Sequence, residues 1–143
     1  MSTSVLMTPS KLRCPGKDLK VSASDERLHE RMVLLQTRKY EKKGARIIAA
    51  DLPGWAAPPQ VGTHVPDIMV EYQGKVVYNE VETCETILTP RAREQFEEVA
   101  EWATLHVTVP LACVETAKRI AANWDIKVGM FWAYDAKMDR TVD

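Results

Sequence analysis

The sequence predicts a single α/β domain in which a central mixed β-sheet is flanked by helices on both faces. Three observations predict it: a β-hairpin pattern near the middle of the chain, two later strand-like runs each preceded by an amphipathic helical pattern, and a globular composition. At 143 residues, 45% hydrophobic and 27% charged, the chain is long enough to bury one core without disulfides, metals or repeats. A hairpin contributes antiparallel strands, whereas strands joined through helices pair in parallel and lay those helices on the sheet. The order along the chain is α-β-β-β-α-β-α-β.

Residues 1–21 hold Pro9, Pro15 and Gly16 with no sustained period, which predicts an irregular, basic N-terminal arm. The domain itself is assigned to residues 22–135. Capping residues Ser22, Ser24 and Asp25 precede a stripe of Leu28, Met32 and Leu35, flanked by Val33 and Leu34, so the first helix runs from there to about Gly44. Ala45 to Ala50 reads as a short strand, and Leu52 to Gly62 as a loop rich in proline and glycine.

The hairpin follows. Ile68–Tyr72 and Lys75–Asn79 are β-rich runs separated by Gln73-Gly74, a two-residue turn. If Tyr72 faces Lys75, Asp67 faces Glu80, and directly opposed residues have Cβ atoms about 5 Å apart. Glu82 shares the face of Glu80, one two-residue step along. This predicts a cluster of three carboxylates, whose mutual repulsion a divalent cation such as Mg²⁺ or Mn²⁺ would relieve. Acids at alternate strand positions also mark solvated sheet faces and protected edges. Val76, Val77, Tyr78 and Val81 beside these acids point instead to a covered strand.

Thr89-Pro90 supplies an N-cap and a first-turn proline for a second helix. Phe96, Val99, Ala100 and Ala103 form its apolar face, and Glu94, Glu97, Glu98 and Glu101 read as a solvated face. His106–Pro110 is the next strand, Val114, Ala117, Ile120 and Ala121 mark a third helix ending at Trp124, and Ile126–Trp132 is the last strand. Residues 136–143 are left as a short C-terminal tail.

The net charge of −1 does not advertise a nucleic-acid binder, but its distribution is uneven: residues 1–44 carry net +5 and residues 45–143 net −6. That asymmetry fits a basic phosphate-contacting surface beside an acidic centre, and equally a solvated helix with a basic tail. Cys14, Cys84 and Cys113 are odd in number and widely spaced without a C-x-x-C pair, which predicts reduced thiols in a cytoplasmic protein and no structural zinc. No run reaches membrane-spanning length and no leader pattern opens the sequence, so no membrane association is expected. A P-loop, G-x-G-x-x-G and G-x-S-x-G are all missing, which removes support for phosphate-loop, dinucleotide and serine hydrolase chemistry.

The element order, together with Gly62-Thr63-His64-Val65-Pro66-Asp67 and Glu80-Val81-Glu82, resembles the PD-(D/E)xK nuclease superfamily of restriction endonucleases and small archaeal Holliday junction resolvases. The resemblance covers roughly residues 22–132 and implies a restriction-endonuclease-like sandwich. It implies a metal-dependent endonuclease that hydrolyses DNA phosphodiester bonds, in which Asp67 and Glu80 bind Mg²⁺ or Mn²⁺ and the Val81 carbonyl is a further oxygen ligand. It also implies a homodimer offering two sites to two strands. Glu82 stands where the superfamily usually has lysine, and a carboxylate cannot bring a positive charge to the attacking water or the phosphate. Some active restriction enzymes resemble this chain in having Glu there, where it orients or deprotonates water or binds a second metal. The alternative is an inactive nuclease-like fold that serves as a nucleic-acid-binding or protein-assembly module.

The superfamily often supplies a helical acid near its site, which makes Glu30 a further catalytic candidate, with Glu26 one turn earlier; either also reads as an exposed helix charge. Gln95 resembles a glutamine that follows the catalytic strand in some relatives, against the simpler reading of an exposed polar residue. His64 either contacts phosphate or the metal region or hydrogen-bonds locally. His29 and His106 lack ligand spacing. Trp55 in the loop suits base stacking or a partner surface, and Trp102, Trp124 and Trp132 read as core or dimer-interface aromatics.

Overall fold

The computed structural model describes residues 23–142; the expected N-terminal arm and Cys14 lie outside them. Helix α1 spans Ala23–Lys42, with Asp25 and Glu26 in its first turn and Lys39 and Lys42 in its last, the charge placement that the helix dipole favours. It stops at Gly44, which takes φ 85°. Gly44 N–H bonds to the Glu41 carbonyl and Ala45 N–H to that of Tyr40, a Schellman closure that glycine permits.

Strands β1 (Arg46–Ala50), β2 (Ile68–Tyr72) and β3 (Lys75–Val81) follow as antiparallel neighbours. Thr89 caps α2 (Pro90–Trp102) by accepting the Ala92 N–H. After β4 (Thr104–Pro110) come a 3₁₀ turn at Leu111–Cys113, α3 (Val114–Asn123), β5 (Met130–Asp135) and β6 (Arg140–Val142). The six strands form one sheet in sequential order, β3, β4 and β5 pairing in parallel and the others antiparallel. Helices α2 and α3 are the two parallel crossovers. Same-handed crossovers that step in one direction across a sheet share a face.

Two apolar layers result. On one face Met32, Val33 and Tyr40 of α1 pack on Ile68, Val70, Val77, Val81, Trp132 and Tyr134. On the other, Phe96 and Val99 of α2 and Ala117 of α3 pack on Leu105, Val107 and Val109. This is the restriction-endonuclease-like α/β sandwich expected from the sequence, and the central strand β3 is covered on both sides from Val77 onward.

The hairpin register agrees with the residue arithmetic: Tyr72 pairs with Lys75 and Ile68 with Asn79. Gln73 and Gly74 both have positive φ, 53° and 79°, the combination a type I′ turn needs. Glutamine is a poor occupant of that conformation, and asparagine tolerates it better. Gln73→Asn is expected to stabilise the protein by about 0.5 kcal/mol, read as a higher midpoint in urea unfolding; an unchanged or lower midpoint counts against this account of the turn.

Three features differ from expectation. Residues 126–129 are not strand, because α3 also ends in a Schellman closure. Asp125 takes φ 56°, and the N–H groups of Asp125 and Ile126 return to the carbonyls of Ala122 and Ala121, holding Ile126 to the helix instead of releasing it to the sheet. Residues 140–142, assigned to the tail, form β6 against β5. Its approach is pinned by Asp139, which accepts hydrogen bonds from Arg31 of α1 (3.2 Å from Nε) and from the Tyr134 hydroxyl (2.8 Å). Those bonds hold the Asp139 carboxyl at about 2. Finally, Cys84 and Cys113 form a disulfide, so the expectation of reduced thiols does not hold for this pair; the fold brings together two cysteines 29 residues apart.

A buried polar network links α1 to the sheet. The Tyr40 hydroxyl lies 2.6 Å from Asn79 Oδ1 and 2.9 Å from His106 Nδ1. Trp132 Nε1–H donates to the same His106 nitrogen at 3.2 Å. Asn79 donates to the Thr108 hydroxyl, which donates to Gln36. Ring contacts with Tyr40, Tyr72 and Trp132 surround His106.

Candidate functional site

Two adjacent antiparallel strands bring Asp67 and Glu80 to one end of the sheet. The β2–β3 register closes at Ile68–Asn79, so these two acids occupy the next cross-strand step, and both are buried, 1% and 0% exposed. The Asp67 carboxylate is fixed on two sides. Its Oδ2 accepts the Val81 N–H at 2.7 Å, and its Oδ1 lies 3.3 Å from His29 Nε2 of α1. The Asp67 carbonyl accepts the Asp51 N–H, which ties the loop after β1 to the same point.

Glu80 has a different partner. Its Oε2 lies 2.6 Å from His64 Nε2, and His64 Nδ1 lies 2.6 Å from Glu98 Oε1 on α2. A carboxylate oxygen accepts and an imidazole N–H donates, so the two contacts engage both ring nitrogens. Glu98 Oε2 in turn accepts the Thr63 N–H at 3.0 Å and the Thr63 hydroxyl at 2.7 Å. Partial burial pushes the Glu98 carboxyl up, but the bonds from Thr63 and His64 prevail and hold it below the usual range. The 61–64 segment is closed on itself by hydrogen bonds in both directions between Val61 and His64.

Glu82 is 1% exposed and turns to a third partner, accepting the Thr86 hydroxyl at 2.7 Å through Oε1. The following turn is bound to α1, since the Thr83 hydroxyl donates to Asp25 Oδ2 at 2.8 Å. Each acid is drawn to its own donor, and among the described residues no group of three or more His, Cys, Asp or Glu side chains is arranged to hold a metal ion. What the strands offer a hard divalent cation is a pair of buried carboxylates, Asp67 and Glu80, with the backbone at Val81 between them and Glu82. Oxygen donors of that kind fit Mg²⁺ or Mn²⁺.

Other candidates fall into or out of this region for structural reasons. Glu30 is exposed, because the buried stripe of α1 runs through His29, Met32, Val33, Gln36 and Tyr40, and a residue one position from His29 lies about 100° away. The helix presents Asp25 and His29 in its place. Glu26 is half-buried. Gln95, read as exposed, is 1% exposed, and neither its amide nitrogen nor its carbonyl oxygen has a hydrogen-bond partner among the described residues. Trp132 is core and Trp124 packs edge-on against Phe96, whereas Trp102 and Trp55 are 76% and 38% exposed. The residues missed as site members are His29, Glu98 and the Thr63, Thr83 and Thr86 hydroxyls. Glu98 belongs to an acid-rich helix face whose local pattern gives no sign of its contact 34 residues upstream; the one local signal was His64 three residues before Asp67.

No protein-family model and no curated protein matches this sequence. Solved structures do. The chain is similar to an XisH family protein from Nostoc punctiforme, with a TM-score of 0.55 and 17% identity over 79% of this chain and 97% of that one. It is similar as well to an fdxN element excision controlling factor protein from Anabaena variabilis, with a TM-score of 0.51 and 17% identity over 79% of this chain and 96% of that one. At such identity the likeness concerns the fold, and it agrees with a nuclease-like sandwich. No helix among the described residues is long and apolar enough to cross a membrane.

Proposed function

We propose that this chain is a divalent-metal-dependent nuclease that hydrolyses DNA phosphodiester bonds, with Asp67 and Glu80 as ligands of Mg²⁺ or Mn²⁺ and the Val81 carbonyl as a third oxygen. One observation carries the reading: two fully buried carboxylates sit at the same end of adjacent strands, in the positions where the resemblance to PD-(D/E)xK nucleases places its ligands. Burying two acids side by side is costly unless cations or hydrogen bonds compensate, and such sites are candidates for chemistry. A bound divalent ion supplies an activated water and charge neutralisation at the phosphate. The chain's own part is to hold Asp67 through Val81 N–H and Glu80 through His64. Glu82, in the place of the usual lysine, would orient or deprotonate the attacking water. Trp55, exposed in the loop after β1, is available to stack on a base. A homodimer presenting two sites to two strands belongs to the same proposal.

A second reading has its own observation. The lysine position is occupied by Glu82, and its carboxylate is drawn to the Thr86 hydroxyl, which suits a fold retained for binding DNA or assembling with protein. Plasmid and branched DNA incubated with Mg²⁺ or Mn²⁺ separate the two. Cleavage abolished by EDTA and restored by the ion is the expected result. DNA binding that weakens with salt, without cleavage under any divalent ion, would replace the nuclease with the binding module.

A further inference from the structure

We infer that His64 and Glu98 form a positioning pair that fixes the Glu80 carboxylate for metal binding, an inference that rests on reading Glu80 as a metal ligand. The chain of contacts is continuous from helix to strand: Thr63 to Glu98 Oε2, Glu98 Oε1 to His64 Nδ1, and His64 Nε2 to Glu80 Oε2. Each member leaves the next one orientation. Thr63 donates twice to one Glu98 oxygen, which aims the other at the imidazole. Glu98 then fixes the ring, and the ring fixes Glu80 through a single oxygen. The backbone beneath is equally determined, because Val61 and His64 exchange both hydrogen bonds. Gly62 takes φ 60°, and a Cβ there would lie 2.6 Å from Glu98 Cδ, so a side chain at that position would strain the backbone and push the Glu98 carboxyl aside.

Stability alone is a poor reason for the arrangement. An ionisable chain with two buried members, His64 and Glu80, is no better for folding than apolar residues of the same shape. Their return lies in orientation: partners that hold a ligating side chain commonly govern metal affinity by 10- to 100-fold.

Calorimetric titration of the full chain with Mn²⁺ alone tests this, on the wild type, Glu98→Gln, His64→Gln and Glu80→Gln, below the thermal transition of every variant. In Glu98→Gln the amide oxygen still accepts from Thr63, so the loop is retained and this variant carries the test if His64→Gln fails to fold. The expected result is a Kd about 10- to 100-fold weaker for Glu98→Gln and His64→Gln with the metal-free thermal midpoint of Glu98→Gln near that of the wild type, and no measurable binding for Glu80→Gln. Wild-type affinity in Glu98→Gln alongside lost binding in Glu80→Gln overturns the positioning role and leaves the metal site standing. An affinity loss matched by a collapse of the Glu98→Gln midpoint makes the pair structural and overturns the inference. Wild-type affinity in Glu80→Gln removes the metal site itself and the inference with it.

Discussion

Glu80→Gln is expected to lower metal-dependent DNA cleavage by more than about a thousandfold, a loss of roughly 4 kcal/mol of transition-state stabilisation, while the protein stays folded. The substitution keeps shape and one carbonyl oxygen. That oxygen can still accept from His64 Nε2, which lies 2.6 Å from Glu80 Oε2, so the buried contact survives. What disappears is a negative charge at a position that is 0% exposed, and a neutral amide is a far weaker ligand for a hard divalent cation. Glu80→Ala would lose the same charge but also leave His64 without its strand partner, mixing a folding defect into the assay. Nicking of supercoiled plasmid under Mg²⁺ and under Mn²⁺, with circular dichroism as the control for folding, is the measurement. A Glu80→Gln protein that nicks at the wild-type rate would remove Glu80 from the chemistry and leave the fold without an assigned site.

How far the sequence alone reaches depends on whether a feature is encoded locally. The hairpin was legible because a two-residue turn sets register and strands alternate with period two; Tyr72–Lys75 through Ile68–Asn79 follow from Gln73-Gly74. The start of α2 was legible because Thr89 and Pro90 carry the capping chemistry themselves. Asp67 and Glu80 inherit that register, so the same arithmetic that predicted the turn brought two distant acids together. Failures occurred where tertiary contacts overrode local pattern. The apolar run from Ile126 looks like a strand until the α3 closure claims Ile126. Arg140–Val142 is too short to announce itself, and its pairing follows an approach fixed by Arg31 and Tyr134 on Asp139. The Thr86 hydroxyl that Glu82 accepts lies four residues further on, in a turn whose shape strand alternation does not encode. Pairing of Cys84 with Cys113, and of His64 with Glu98, likewise depends on where helices land on the sheet.

Acidification is expected to cost this protein about 2–3 kcal/mol through His106 alone. Trp132 Nε1–H can only donate, and it lies 3.2 Å from His106 Nδ1, so that nitrogen carries the lone pair and the ring proton sits on Nε2. Asn79 donates to the Thr108 hydroxyl through its nitrogen, which turns its oxygen to Tyr40; the Tyr40 hydroxyl is thereby shared between Asn79 Oδ1 and His106 Nδ1. A proton added at Nδ1 would face the Trp132 N–H and leave two donors opposed. Burial, with Lys75 nearby, lowers the imidazole to about 4 from an ordinary 6.5. Between those values the unfolded chain binds the proton and the folded chain does not, so stability rises with pH across the window. It is complete above about 6.5 and is lost as pH falls toward 4. The full linkage for such a difference is about 3.4 kcal/mol, and an experiment that stops at pH 4.5, short of the folded-state value of about 4, reads about 2–3 kcal/mol of it. Urea unfolding at pH 7.5 and pH 4.5 for the wild type and His106→Gln isolates the term, since every other titrating group contributes to both proteins. The wild type should lose about 2–3 kcal/mol more than the variant between the two conditions. Equal losses would mean that His106 titrates alike in both states, and that the donor from Trp132 does not set its tautomer.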